Sequence, residues 1–188
     1  MTAMMLHLLR HGAPEMAGRL LGHGDAAPTP QGIAACRARA QGLAVARIVS
    51  SDLARARRPA EAIARDLGVP LDVDSRWREL DFGTWDGCDP ATLAPTDLAA
   101  FWDDPERCPP PGGERWSAVV RRVGAALDAL AVPTLVVSHA GAMRAALCVL
   151  LSLDYRQGWG FDLPYVALIS LRIWPGAPRA AQVVGLAT

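Results

Sequence analysis

The sequence predicts a three-layer α/β/α sandwich built on a mostly parallel sheet. Three observations carry that reading. Short apolar runs alternate with capped or amphipathic segments, several runs break off at polar turns containing glycine or serine, and no linker long enough to separate domains interrupts the 188 residues. In such sheets ligands sit at the carboxyl ends of the strands, so the residues just past each run are the first candidates for function.

The elements follow in order. Met4 to Leu9 is a short apolar run stopping at Arg10-His11-Gly12, which predicts a buried strand feeding a loop. A Gly- and Pro-rich stretch continues to Pro30, where Thr29 as N-cap and Pro30 at the first position predict a helix on to Leu43. Arg47-Ile48-Val49 predicts a second strand. Asp52 is placed to cap a helix from Leu53 to Leu67, closed by Gly68 and Pro70, and Leu71 to Val73 predicts an edge strand. Residues 86–113 hold most of the helix breakers and predict an elaborated loop with one short helix near Leu98 to Trp102. Val119, Val123, Leu127 and Leu130 recur at helical spacing and predict an amphipathic helix from Glu114 to Leu130. Thr134 to Val137 predicts a fully apolar strand that ends at Ser138-His139-Ala140-Gly141, with a helix from Ala142 to Leu151. Alternation around Ala167 to Trp174 and again over Gln182 to Leu186 predicts closing strands. Residues 1–188 therefore read as a single domain of ordinary size.

Composition removes several mechanisms. All 19 basic residues are arginine, and the chain has neither lysine nor asparagine. A Schiff base, a pyridoxal-phosphate anchor and a Walker-type phosphate loop all need lysine, and an N-glycosylation acceptor needs asparagine. The 19 acidic residues bring the formal charge to zero, which argues against a chain built to coat nucleic acid or an anionic membrane. Cys36, Cys88, Cys108 and Cys148 show no C-x-x-C spacing and read as reduced thiols. Met1 to Leu9 is too short for a signal peptide, and no apolar stretch nears the roughly 20 residues of a membrane span. The expectation is a cytoplasmic protein with no membrane or nucleic-acid partner, no metal and no cofactor, either monomer or homodimer.

Three strand ends concentrate polar groups. Arg10-His11-Gly12 offers a cation, an imidazole and a permissive glycine; Ser138-His139-Ala140-Gly141 does nearly the same; and Ser50 to Arg55 adds a third polar cluster. Brought together, two imidazoles and two guanidiniums suit a phosphoryl group, because the planar guanidinium fork matches its oxygens. Guanidiniums beside an imidazole also disfavour its protonation, which keeps a nucleophilic nitrogen free. His7, alternating with apolar neighbours, reads as a core histidine. Arg57, Arg58 and Arg65 read as solvated surface, and Cys36 and Cys148 as buried small hydrophobes.

Six blocks in order, between residues 5 and 150, resemble the motifs of the histidine phosphatase superfamily, the phosphoglycerate mutase-like proteins. They are Leu9-Arg10-His11-Gly12, then Gly22-His23-Gly24-Asp25 followed by Thr29 and Gly32, and Ser51-Asp52-Leu53-Ala54-Arg55-Ala56. Glu79 with Gly83, Trp85, Asp86 and Gly87 follows, then Gly112-Gly113-Glu114, and Val137-Ser138-His139-Ala140-Gly141 with Arg144. The resemblance implies a phosphoglycerate mutase-like fold and a metal-independent phosphomonoesterase. It makes His11 the nucleophile that becomes phosphohistidine and Glu79 the general acid, then base. Arg10, Arg55 and His139 would hold the phosphoryl oxygens. Arg144 would support the site from behind, Gly22 and Gly24 would let backbone approach substrate, and Ala140, His23 and Trp85 would contact it. Asp81 is a weaker competitor for the role of Glu79.

Two positions depart from the family pattern. Pro14 stands where many members carry Thr, and Ala17 where many carry a phosphate-contacting Asn. The Arg10 to Pro30 loop and the blocks at Trp77 to Gly87 and Gly112 to Glu114 look most like the α-ribazole phosphatases of cobalamin biosynthesis. The implied partner is a small phosphorylated metabolite, with a sugar phosphate, a nucleotide or a phosphoglycerate as alternatives to α-ribazole-5′-phosphate. The competing class is a non-catalytic module that binds a phosphorylated ligand, or one that uses the arginine-rich helix to bind RNA. Retention of Glu79 argues for the enzyme, since a pure binder has no use for a proton donor.

Overall fold

The computed structural model describes residues 3–176 and 179–188. Among these, β1 (Met4–Arg10), β2 (Arg47–Ser50), β3 (Leu71–Val73), β4 (Thr134–Ser138), β5 (Leu168–Trp174) and β6 (Ala180–Ala187) form one sheet. Their spatial order is β3-β2-β4-β1-β5-β6. The first four strands run parallel, β5 pairs antiparallel with β1, and β6 pairs antiparallel with β5 at the sheet edge. The helices are α1 (Pro30–Ala40), α2 (Ala54–Leu67), α3 (Pro95–Asp103), α4 (Trp116–Asp128), α5 (Ala140–Leu151) and α6 (Tyr155–Trp159).

Strand alternation sorts the core into two layers. Leu6, Leu8, Val49, Val136, Ile169 and Leu171 point to one face and pack with Val119, Val123 and Leu127 of α4 and Met143 and Leu147 of α5. Leu9, Ile48, Leu135 and Val137 point to the other and pack with Cys36 of α1 and Ala56, Ala60 and Ile63 of α2. This is the α/β/α sandwich the sequence predicts. His7 is buried on its strand, with Nδ1 2.8 Å from Ser170 Oγ on β5.

Several boundaries differ from expectation. Helix α1 stops at Ala40, because Gln41 turns extended and Gly42 adopts φ 77°. Asp52 does not cap α2. Its carboxylate is taken by Arg78 at 2.7 and 2.5 Å, and the free Ala54 N–H donates instead to Asp25 Oδ1 at 2.6 Å. Helix α3 is longer than the short helix predicted near Leu98 to Trp102, and α5 begins two residues early, with His139 as its N-cap. Helix α6 was not anticipated, although Asp154 and Gln157 form a reciprocal capping box at its start. Thr29 caps α1 as expected, accepting from Gly32 N at 3.0 Å.

Candidate active site

Strands β1 and β4 are neighbours with Arg10 opposite Ser138, and the His11 N–H donates to the Ser138 carbonyl at 2.9 Å. The register alone therefore sets His11 and His139 side by side. Their ring centroids are 5.1 Å apart, and both residues are at least 96% buried, at 4% and 0% exposure. His11 Nδ1 lies 2.7 Å from the Gly12 carbonyl. A carbonyl can only accept, so Nδ1 carries the proton and Nε2 keeps its lone pair. Burial first, then the Arg55 charge and more weakly that of Arg10, lower the His11 pKa from 6.5 to about 3 against the opposing bond to Gly12. His139 is also held well below its ordinary range, mainly by burial and next by Arg55. Neither of its ring nitrogens has a hydrogen-bond partner among the described residues.

The guanidiniums are fixed from the main chain. Arg10 Nη1 donates to the Leu163 carbonyl at 2.5 Å, while its guanidinium carbon sits 4.3 Å from the Tyr165 ring centroid. Arg55, fully buried, donates Nη1 to the Gly24 carbonyl at 2.7 Å and Nη2 to the carbonyls of Leu21 and Gly22 at 3.0 and 2.5 Å. The same loop is held from its other side by Asp86, which accepts from the N–H groups of Gly22 and Gly24 at 2.9 and 2.5 Å. The Nε atoms of Arg10, Arg55 and Arg144 are buried without partners among the described residues.

Glu79 lines the same cavity as His11. Its Oε1 accepts from Leu80 N at 2.9 Å and its Oε2 from Gly141 N at 3.2 Å, in the first turn of α5. Arg10, His11, Glu79, Ala140, Gly141 and Arg144 line one cavity of about 210 Å³. Its remaining wall is largely apolar, with Leu80, Phe82, Phe101, Trp102, Trp116 and Trp159 prominent. Arg19 and Tyr165 also reach it. Arg55 and His139 are not on the lining, but both are fully buried close to His11.

The other expected contacts fall elsewhere. Trp85, expected to contact substrate, packs edge-to-face on Phe101 at 5.9 Å and 90° and is not on the lining. His23 turns its Nε2 to the Glu79 carbonyl at 3.1 Å and is not on the lining. Gly22 is also off the lining, pressed so closely on Phe82 N and Leu80 O that a Cβ would come within 2.7 and 2.8 Å of them. Asp81 accepts from Gly83 N at 2.9 Å and is not on the lining either. Ala17 sits on an exposed turn, and Pro14 is bridged to Pro28. Arg144 does more than stand behind the site, because it follows Ala140 by four residues and Gly141 by three, which puts all three on the cavity side of α5. That spacing was readable. Tyr165 gave no signal in sequence: it is presented by a turn in which Val166 holds φ 67°, tied back through Val166 N to the His11 carbonyl at 3.3 Å.

Residues 6–184 match the model of the histidine phosphatase superfamily, branch 1. The chain is 36% identical over 185 residues to the bifunctional protein Rv2228c of Mycobacterium tuberculosis, covering 92% of this chain and 50% of that protein. The chain thus spans about half the length of the curated relatives first matched. It is 32% identical over 163 residues to a probable phosphoglycerate mutase, GpmB, of Erwinia tasmaniensis, covering 80% of this chain and 76% of that one. In structure it is similar to the mycobacterial glucosyl-3-phosphoglycerate phosphatase Rv2419c, with TM-score 0.87, 25% identity and 97% of each chain covered. Paired imidazoles at adjacent strand ends, the family match over nearly the whole chain and the shared architecture agree, and the chain belongs to the histidine phosphatase superfamily, branch 1.

Proposed function

We propose that this protein hydrolyses phosphate monoesters through a phosphohistidine on His11, without a metal ion. The observation that carries this reading is the His11 tautomer: Nδ1 is committed to the Gly12 carbonyl, which leaves a deprotonated Nε2 facing a cavity lined by Arg10 and Glu79. Nε2 attacks phosphorus, the P–O bond to the leaving group breaks, and the Glu79 carboxyl gives its proton to the departing oxygen. Water then attacks the phosphorus as the Glu79 carboxylate takes its proton. The P–N bond breaks, inorganic phosphate leaves, and His11 is again neutral. Arg10, Arg55 and an N–H of His139 neutralise the equatorial oxygens as charge spreads over them.

The finer reading is α-ribazole-5′-phosphate as substrate. It is supported by the motif blocks and by a wall that includes Trp102, Trp116 and Trp159, which suits a flat ring attached to the phosphorylated sugar. A second reading has its own observation. Arg19 and Arg144 line the cavity without a salt bridge among the described residues, and a substrate carboxylate of the phosphoglycerate kind would meet them. The test is kcat/KM for α-ribazole-5′-phosphate, glucosyl-3-phosphoglycerate and 3-phosphoglycerate, each with and without EDTA. Preference for the first, unchanged by EDTA, is expected. Preference for the acids would move the substrate to the second reading, and activity abolished by EDTA and restored by a divalent cation would sink the metal-free route.

A further inference from the structure

We propose that Arg122 is a positioning residue for the Glu79 carboxyl, an inference that rests on the proton-transfer role given to Glu79 above. Arg122 projects from α4 and does not line the cavity. A guanidinium has five N–H donors, and here all five are used. Nε donates to Glu114 Oε1 at 2.9 Å, and Nη2 to Glu114 Oε2 at 2.9 Å and to the Glu79 carbonyl at 2.8 Å. Nη1 donates to the carbonyls of Arg76 and Arg78, both at 2.7 Å.

Three of the five acceptors are therefore main-chain groups of the segment that ends in Glu79. Glu114 extends the hold past it, since Oε2 also accepts from Asp81 N at 3.0 Å. His23 adds a second donor to the Glu79 carbonyl. The Glu79 peptide is thus fixed from both sides by α4 and by the turn at Gly112–Glu114. The direction of its Cα–Cβ bond then determines where the carboxyl meets Gly141 N and the cavity. Misplacement of a reacting group by about 1 Å can cost about 100-fold in rate. An ammonium, with three donors and no planar fork, cannot reproduce this set of bonds.

A merely architectural role would lower stability and slow all substrates alike. A positioning role acts only where Glu79 moves a proton, and in kcat/KM, which precedes the shared water step, that is leaving-group protonation alone. The experiment compares Arg122→Gln, Arg122→Lys and Glu114→Gln on p-nitrophenyl phosphate, whose leaving group needs little protonation, and on an alkyl phosphate, whose leaving group needs it fully. Arg122→Lys keeps the charge that helps hold His139 neutral, so it separates electrostatics from the fork. The expected result is a kcat/KM on the alkyl ester, which ends at leaving-group departure and excludes the shared water step, lower by about 10- to 100-fold, with kcat/KM on the aryl ester changed less than about threefold. The Lys variant should fall between Gln and wild type. Equal slowing of both esters would overturn the assignment, as would an unchanged ratio in folded protein. Glu79→Gln, measured alongside, separates the two kinds of failure. Uniform slowing there removes the Glu79 role and this proposal with it. A leaving-group effect there that is missing from the Arg122 and Glu114 variants overturns the Arg122 assignment alone. If Arg122→Gln fails to fold, the Lys and Glu114→Gln variants carry the same ratio.

Discussion

The Gly141 N–H lies 3.2 Å from Glu79 Oε2, and a Cβ built on Gly141 would overlap Glu79 Oε1. The glycine two residues beyond His139 thus makes room for the carboxyl against the first turn of α5. Gly141→Ala should fold, since helix interiors favour alanine over glycine by about 1 kcal/mol. It should still displace the carboxyl and slow alkyl phosphates by about 100-fold, within the range general acid catalysis supplies. Steady-state kinetics on folded protein checks this, and a wild-type rate would mean the close approach has no catalytic consequence.

Arg55 ties down the loop that carries Gly22 and Gly24 as well as facing the histidines. Its Nη atoms satisfy the carbonyls of Leu21, Gly22 and Gly24. Replacing it with Met leaves those acceptors without their donor, and each buried unsatisfied group costs about 1–3 kcal/mol. Arg55→Met should therefore lose at least about 2 kcal/mol of stability along with its activity. Denaturant titration reads the first and turnover the second. Full stability with lost activity would confine Arg55 to the chemistry.

Of the three buried histidines, His11 and His139 make the protein most sensitive to acid, and burial lowers the His7 pKa in the same direction. The His11 pKa is about 3 when folded against 6.5 for an unperturbed imidazole, and His139 shifts in the same direction. Between those two values the unfolded chain binds more protons than the folded one, so stability falls as the pH drops through this window. Above 6.5 the contribution is fully present. Unfolding free energy measured against pH should fall below that point, and less steeply in His11→Gln and His139→Gln. The NMR signal of His11 should show no titration between about pH 5 and 8, where ordinary histidines titrate. A midpoint near 6.5 would contradict the burial and charge effects described above.

What the sequence disclosed, and what it withheld, follows from how far apart the contacting residues lie. Strands β1 and β4 were readable because each is a short apolar run cut off by a polar turn. Placing His11 and His139 at strand ends needed only that pattern. Contacts that join distant segments left no local trace. Asp25 caps α2 across 29 residues because Asp52, the adjacent candidate, is taken by Arg78. Arg122 reads as one more polar position on an amphipathic helix until α4 is laid against the segment before Glu79. The aromatic wall draws on α3, α4 and α6, and only packing brings Trp102, Trp116 and Trp159 together. Trp85 belonged to a recognisable motif, yet its ring is used to support Phe101.

The central claim is that His11 carries the phosphoryl group during turnover. Brief reaction with a ³²P-labelled monoester, followed by an alkaline quench and peptide mapping, tests it directly. The expected result is an acid-labile label on the peptide containing His11, absent from His11→Ala. Label that persists in His11→Ala, or on any other residue of the wild-type protein, would contradict the account.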